Sequence, residues 1–159
     1  FSGTEWEAIK AQEKAAKGGQ QAEKGLLDGM PKAQPALISA HEIHKRANSV
    51  GFKWNTVEGL TDKIEEELEE VKEAIHDNHT LEHIEEELGD LLFTVAIIGY
   101  YTDINPESAL RLANEKFKKR FKHIEAGMKA ANIPLSAENF DKMETFWQEA
   151  KRQSKENKN

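Results

Sequence analysis

Ile64-Glu65-Glu66-Glu67-Leu68-Glu69-Glu70 and, twenty residues later, Ile84-Glu85-Glu86-Glu87-Leu88-Gly89-Asp90 are two copies of one pattern, with an acid three and six residues after the isoleucine. At about 100° per residue, Ile64, Leu68, Val71 and Ile75 form one narrow apolar stripe, and Ile84, Leu88, Leu91, Val95 and Ile98 form a second. Glu67 and Glu70 lie together on one flank of the first stripe, and Glu87 and Asp90 lie on the same-handed flank of the second. The connection, residues 76–80, is short enough to force an antiparallel pair. A two-fold axis perpendicular to such a pair keeps equivalent flanks on one side. Glu70 and Glu87 stand eight and nine residues from the middle of the connection near Asn78, and Glu67 and Asp90 eleven and twelve. All four carboxylates are therefore predicted to converge at one level, beside the core.

Outward from this hairpin the chain reads as helices. Pro31 and Pro35 frame a helix start, with Leu37, Ala40, His44 and Ala47 on one face and Gly51 as its stop. The repeated pattern sits in two helices, Val57 to about Asp77 and Leu81 to about Thr102. Asn105-Pro106 is a cap and first turn for another, running to about Gly127 with Leu110, Ala113, Phe117, Ile124 and Met128 inward. Ser136 opens a last helix containing Phe140, Met143 and Trp147. No stretch alternates convincingly as a strand. The predicted fold is all-α, a four- to five-helix bundle. Thr4 and Glu7 at capping-box spacing start a short helix over residues 4–16, followed by a linker around Gly18 and Gly19. Residues 1–30 are thus expected to be a helix plus linker, 31–152 the functional domain, and 153–159 a disordered tail.

The composition narrows the chemistry. In 159 residues there are 22 Lys plus Arg against 29 Asp plus Glu, a net charge of -7. Residues 61–90 hold 13 acids and 2 bases, a balance of -11, which leaves +4 for the remainder. An acidic total disfavours a nucleic-acid partner, which is bound by neutralising phosphates. The longest apolar run, Leu91 to Tyr101, is broken by Thr94 and Gly99 and is too short for a bilayer of about 30 Å. Without cysteine or a signal-like N-terminus, a cytoplasmic address is expected.

Four convergent acids repel one another unless a cation joins them. Hard oxygen ligands without Cys or His select Mg²⁺, with Mn²⁺ as a substitute. Such ions are usually completed by substrate phosphates and water, so bases should lie close by. Lys63 occupies the acid flank one turn earlier, and Lys116 and Arg120, with Lys119 and His123 further round, form a candidate phosphate clamp on the later helix.

Glu66-Glu67-x-x-Glu70 and, seventeen residues on, Glu87-x-x-Asp90 resemble the two-part acidic signature of the MazG family of all-α nucleoside triphosphate pyrophosphohydrolases. The likeness extends through Gly51-Phe52-Lys53-Trp54, Glu86 to Phe93 and Ala113 to Phe121, as far as Trp147, covering about residues 31–152. It implies Mg²⁺ ligation by Glu67, Glu70, Glu87 and Asp90. It also implies nucleotide contacts from Lys63 to Glu67, His83 to Glu86, Lys116 to Arg120, and Trp147. The implied reaction releases a nucleoside monophosphate and pyrophosphate, as nucleotide-pool control or house-cleaning. Glu66, rotated slightly outward, is the candidate general base. The family implies a homodimer with sites near the interface. The linker-like start beginning at Phe1 resembles the join ahead of the C-terminal copy in tandem members, as expected of a piece of a longer chain. Two other readings compete: an acidic helical interaction module, and a di-iron carboxylate bundle, for which only Glu73-x-x-His76 has the required form.

Overall fold

The computed structural model describes residues 6–12 and 25–157. Five α-helices follow a short helical stretch over residues 6–12: α1 (Ala36–Ser49), α2 (Val57–His76), α3 (Leu81–Thr102), α4 (Pro106–Ala130) and α5 (Phe140–Glu156), with a single 3₁₀ turn, Ala137–Asn139, ahead of α5. No strand occurs among the described residues. The rest of the expected 4–16 helix, the linker glycines and the last two residues lie outside them.

The helix ends are set by local chemistry. The Thr56 hydroxyl accepts from Gly59 N at 3.0 Å and the Thr80 hydroxyl from His83 N at 3.2 Å. Asn105 caps α4 by accepting from Glu107 N and Ser108 N at 2.9 and 3.2 Å, and Pro106 fills the first position, where no amide hydrogen is needed. Asp103, left-handed at φ 58°, ends α3 and lets Ile104 N reach Gly99 O at 2.8 Å. A Cβ on Gly99 would overlap the Ile104 carbonyl oxygen, so this corner requires glycine.

α2 packs on α3 as an antiparallel hairpin, α1 covers the other side of α3, and α4 and α5 form a second hairpin joined to α1 and α3. The core is small, with Leu60, Ile97 and Met128 as its largest fully buried side chains. One polar knot lies inside it. The Tyr101 hydroxyl accepts from Trp54 N at 2.9 Å, donates to Trp54 O at 3.1 Å and meets His44 Nε2 at 3.1 Å. With its single proton given to Trp54 O, that hydroxyl receives one from His44, a buried imidazole whose pKa is held below its ordinary value by burial and then by His41. The knot ties the 50–56 connection to the end of α3.

Several expectations change. Helix α5 runs through Glu156, so residues 153–156 are helical rather than tail; the Ser154 hydroxyl donates to Ala150 O at 3.0 Å, and the residues around it are good helix formers. Leu110 and Phe117 are about half exposed although Ile124 and Met128 on their face are buried, because α4 leaves α3 at its N-terminal end and α3 does not cover the rest. Gly89 has open space where a side chain would stand, whereas a Cβ on Gly99 or Gly127 would overlap its neighbours.

Candidate active site

α2 packs against α3 alone, so its buried positions define their seam. These are Leu60, Glu67 and Ala74, each seven residues apart and therefore two turns along one line, as in a coiled-coil contact. Glu67 thus lies in the seam rather than beside it, while Leu68 and Ile75 of the expected stripe stay 42% and 58% exposed. On α3 the Glu87 side chain is only 12% exposed and faces the same seam.

Glu67, Glu70 and Glu87 each bring a carboxylate oxygen within 4.8 Å of the others. Asp90, the fourth expected member, stands outside this group on the exposed side, although its charge still acts on Glu87. Burial, followed by the adjoining Glu70 carboxylate, pushes the Glu87 carboxyl above the ordinary glutamate range. Glu87 Oε2 is buried and has no hydrogen-bond partner among the described residues. A buried, unpartnered carboxylate oxygen beside two further carboxylates is costly unless a cation fills the space. The donor set is all oxygen, with one deep and orphaned member, and it fits a hard divalent ion. The single cluster of this kind among the described residues contains no histidine, and His76 of the Glu73-x-x-His76 pair is almost fully exposed, which removes the basis for a di-iron site.

The bases divide between two places. Lys63 Nζ lies 3.3 Å from Glu67 Oε1 and 3.3 Å from Glu66 Oε1, contacts that raise its pKa, with Glu67 contributing most. His83 Nε2 is 3.7 Å from Glu87 Oε1. Glu66 and Glu86 face solvent. Lys116, Lys119 and Arg120 instead line a crevice of about 610 Å³ between α4 and the end of α5, together with Leu112, Ser154 and Asn157. Arg120 sits 5.4 Å from the Trp147 ring centre, and its Nε is buried without a partner among the described residues. Trp147 is half-buried, 5.3 Å from the Phe117 ring. Ser154 and Asn157 were not legible as site residues, since they fall in the stretch that reads as tail. The Lys63 and His83 pairs do have a sequence signal, a base four residues before the buried glutamate in both copies of the repeat.

An all-α chain with a cluster of carboxylates in a helix seam, and separate bases suited to anions, has the donor types that a carboxylate-based cation site requires. Residues 55–125 match the MazG nucleotide pyrophosphohydrolase domain, a segment containing both acid copies and the basic segment. Over that segment the chain carries a MazG domain. It is 39% identical over 152 residues to a nucleoside triphosphate pyrophosphohydrolase of Escherichia coli (strain K12), covering 93% of this chain and 55% of that one. It is 38% identical over 151 residues to the nucleoside triphosphate pyrophosphohydrolase/pyrophosphatase MazG of Thermotoga maritima, covering 95% of this chain and 56% of the other. The uncharacterized protein YabN of Bacillus subtilis is 34% identical over 150 residues, covering 92% of this chain and 29% of that protein. The chain spans about half the length of the first two relatives.

Proposed function

We propose that this chain hydrolyses nucleoside triphosphates between the α- and β-phosphates, giving a nucleoside monophosphate and pyrophosphate, with Mg²⁺ as its cofactor and Mn²⁺ as a substitute. The observation that carries this reading is the convergence of Glu67, Glu70 and Glu87 around the orphaned Oε2 of Glu87, inside the segment matched to the pyrophosphohydrolase domain. Glu67, Glu70 and Glu87 hold the cation, and Asp90 joins them from its exposed position. When bound, the cation supplies charge neutralisation for the phosphates and lowers the pKa of a bound water. The chain's own residues position the rest. Lys63 and His83 stand at either side of the carboxylates, where phosphate oxygens attached to the cation would meet them, and Glu86 and Glu66 edge the same surface. Glu66 is more than half exposed, so its carboxylate can take the proton of an attacking water. Lys116, Lys119 and Arg120 grip outer oxygens, and Trp147, with the Arg120 guanidinium over its ring, offers a face to the nucleoside.

The basic crevice is lined by α4 and α5 and by none of the α2–α3 acids. Leu68, Ile75, Leu88, Leu92 and Val95 on the first hairpin are exposed, as are Leu110, Phe117 and Phe121 on the second. A homodimer covers this apolar surface and brings acids and bases to one substrate. We place the activity in the cytoplasm; no helix among the described residues is long and apolar enough to cross a membrane. Incubation with several triphosphates and Mg²⁺, followed by product identification, tests the reaction. Monophosphate plus pyrophosphate is expected, whereas orthophosphate plus diphosphate, or no turnover, refutes it. Light scattering at micromolar concentration is expected to give twice the chain mass, and a monomer would refute the shared site.

A further inference from the structure

Both buried glutamates of the cluster have a nitrogen-bearing side chain one turn earlier on their own helix, Lys63 before Glu67 and His83 before Glu87. The two contacts differ in kind. The His83 nitrogen is 3.7 Å from its carboxylate, beyond hydrogen-bond distance. The Lys63 ammonium is 3.3 Å from Glu67 Oε1 within the seam and 3.3 Å from Glu66 Oε1 on the outside. It therefore bridges the acid cluster and the solvent. The Glu67 side chain is 11% exposed, while those of Lys63 and Glu66 are 37% and 58% exposed. A carboxylate so far removed from water needs a positive partner, and here Lys63 is that partner.

We propose that Lys63 is a placeholder cation: without metal its ammonium neutralises Glu67, and metal binding releases it to the phosphates of the substrate, so one side chain serves both states in turn. This rests on the metal reading of the acid cluster given above. A divalent ion on Glu67 would bring two positive charges next to the ammonium and would take up the carboxylate lone pairs that face it, so the two cations compete for one carboxylate. Glu66 keeps the released ammonium at the edge of the cluster. A triphosphate chelated to the metal then presents its oxygens within reach. Lysine suits this exchange better than arginine, because its compact charge rides on four methylenes and donates in any direction, with no planar fork to realign. The histidine, with two rotatable side-chain bonds, lacks the reach to follow.

The exchange predicts effects of opposite sign on the two ligands. A side chain that only supports the fold would weaken both when removed, and one that only binds phosphate would leave the metal unaffected beyond general charge. The probe for the first ligand is Mn²⁺ alone, with free ion counted by electron paramagnetic resonance, for the full chain and for Lys63→Met, Lys63→Arg and Lys72→Met. Lys72 pairs with Glu69 at 3.0 Å on the same helix and touches none of the three clustered acids, so it reports the loss of one positive charge at a distance. Lys63→Met is expected to bind Mn²⁺ about two- to fivefold tighter than Lys72→Met, the range set by one partly exposed ion pair. Lys63→Arg should stay near the parent value. For the second ligand, an α,β-methylene triphosphate analogue in saturating Mn²⁺ should bind Lys63→Met about tenfold or more weakly, as one charge-assisted hydrogen bond requires. Equal Mn²⁺ affinities for Lys63→Met and Lys72→Met, or an unchanged affinity for the analogue, would overturn the exchange while leaving the metal reading in place. A parent chain that takes up no Mn²⁺ overturns the metal reading itself, and the exchange with it.

Discussion

Replacing Glu87 by glutamine keeps the shape of the side chain and removes the charge, which separates the two conditions in which this residue works. Without metal, the folded chain holds the Glu87 carboxyl above its ordinary range because of burial and then Glu70. A carboxyl whose folded pKa is raised gives stability that is complete below the unfolded value near 4.5 and is lost as pH rises through the folded value. At neutral pH the metal-free parent therefore carries a penalty that Glu87→Gln lacks. The variant is expected to unfold at a higher temperature than the parent in EDTA at pH 7, with the difference vanishing toward pH 4. With metal the order reverses. An ion binding only the folded state and present at a hundredfold its dissociation constant raises the midpoint of a chain of this size by about 5–10 °C. The glutamine loses the charge and offers a weaker oxygen in place of the orphaned Oε2, so at the same Mg²⁺ concentration its midpoint should barely move. Differential scanning fluorimetry at pH 4, 5.5 and 7, each with EDTA and with Mg²⁺, gives the two crossing trends. A metal-free variant less stable than the parent at pH 7, or an equal Mg²⁺ shift in both, refutes the reasoning.

Other expectations follow from single contacts. A Cβ on Gly127 would stand 2.5 Å from two carbons of the Phe146 ring, so Gly127→Ala should gain about 1 kcal/mol of helix propensity and lose up to about 3 kcal/mol to overpacking, lowering the thermal midpoint by several degrees. Tyr101→Phe leaves Trp54 N and O without the hydroxyl that serves both, and urea unfolding should show a loss of about 1–3 kcal/mol; an unchanged midpoint would mean that water replaces the knot freely. Arg120→Ala removes a guanidinium whose Nε has no partner among the described residues, and triphosphate binding by calorimetry should weaken about 10–100-fold with helicity preserved by circular dichroism.

The amino-acid sequence carried the helical fold and the place of the acids in it. Asn105 puts a capping oxygen ahead of a helix, and that cap forms because it needs only residues two and three positions away. The antiparallel hairpin followed from the short link at residues 76–80, and the level at which Glu70 faces Glu87 followed from counting along it. These are local quantities, fixed by helix geometry and chain length. Which face of α2 turns toward α3 was not of this kind. Leu60, Ile64, Glu67, Val71 and Ala74 make one candidate seam, and Ile64, Leu68, Val71 and Ile75 make another, rotated by part of a turn and more apolar. Hydropathy favours the second. The tertiary structure takes the first, burying Glu67 on one line with Leu60 and the small Ala74 and leaving Leu68 and Ile75 in the open. That rotation draws Glu67 and Glu87 into the seam, leaves Asp90 at its edge, and sets Lys63 against a carboxylate with little water around it. The sequence alone determined which residues are charged and how far apart they lie along each helix. Only packing decided how far each charge is taken out of water, since burial depends on what stands opposite a side chain, and that neighbour comes from a distant part of the chain.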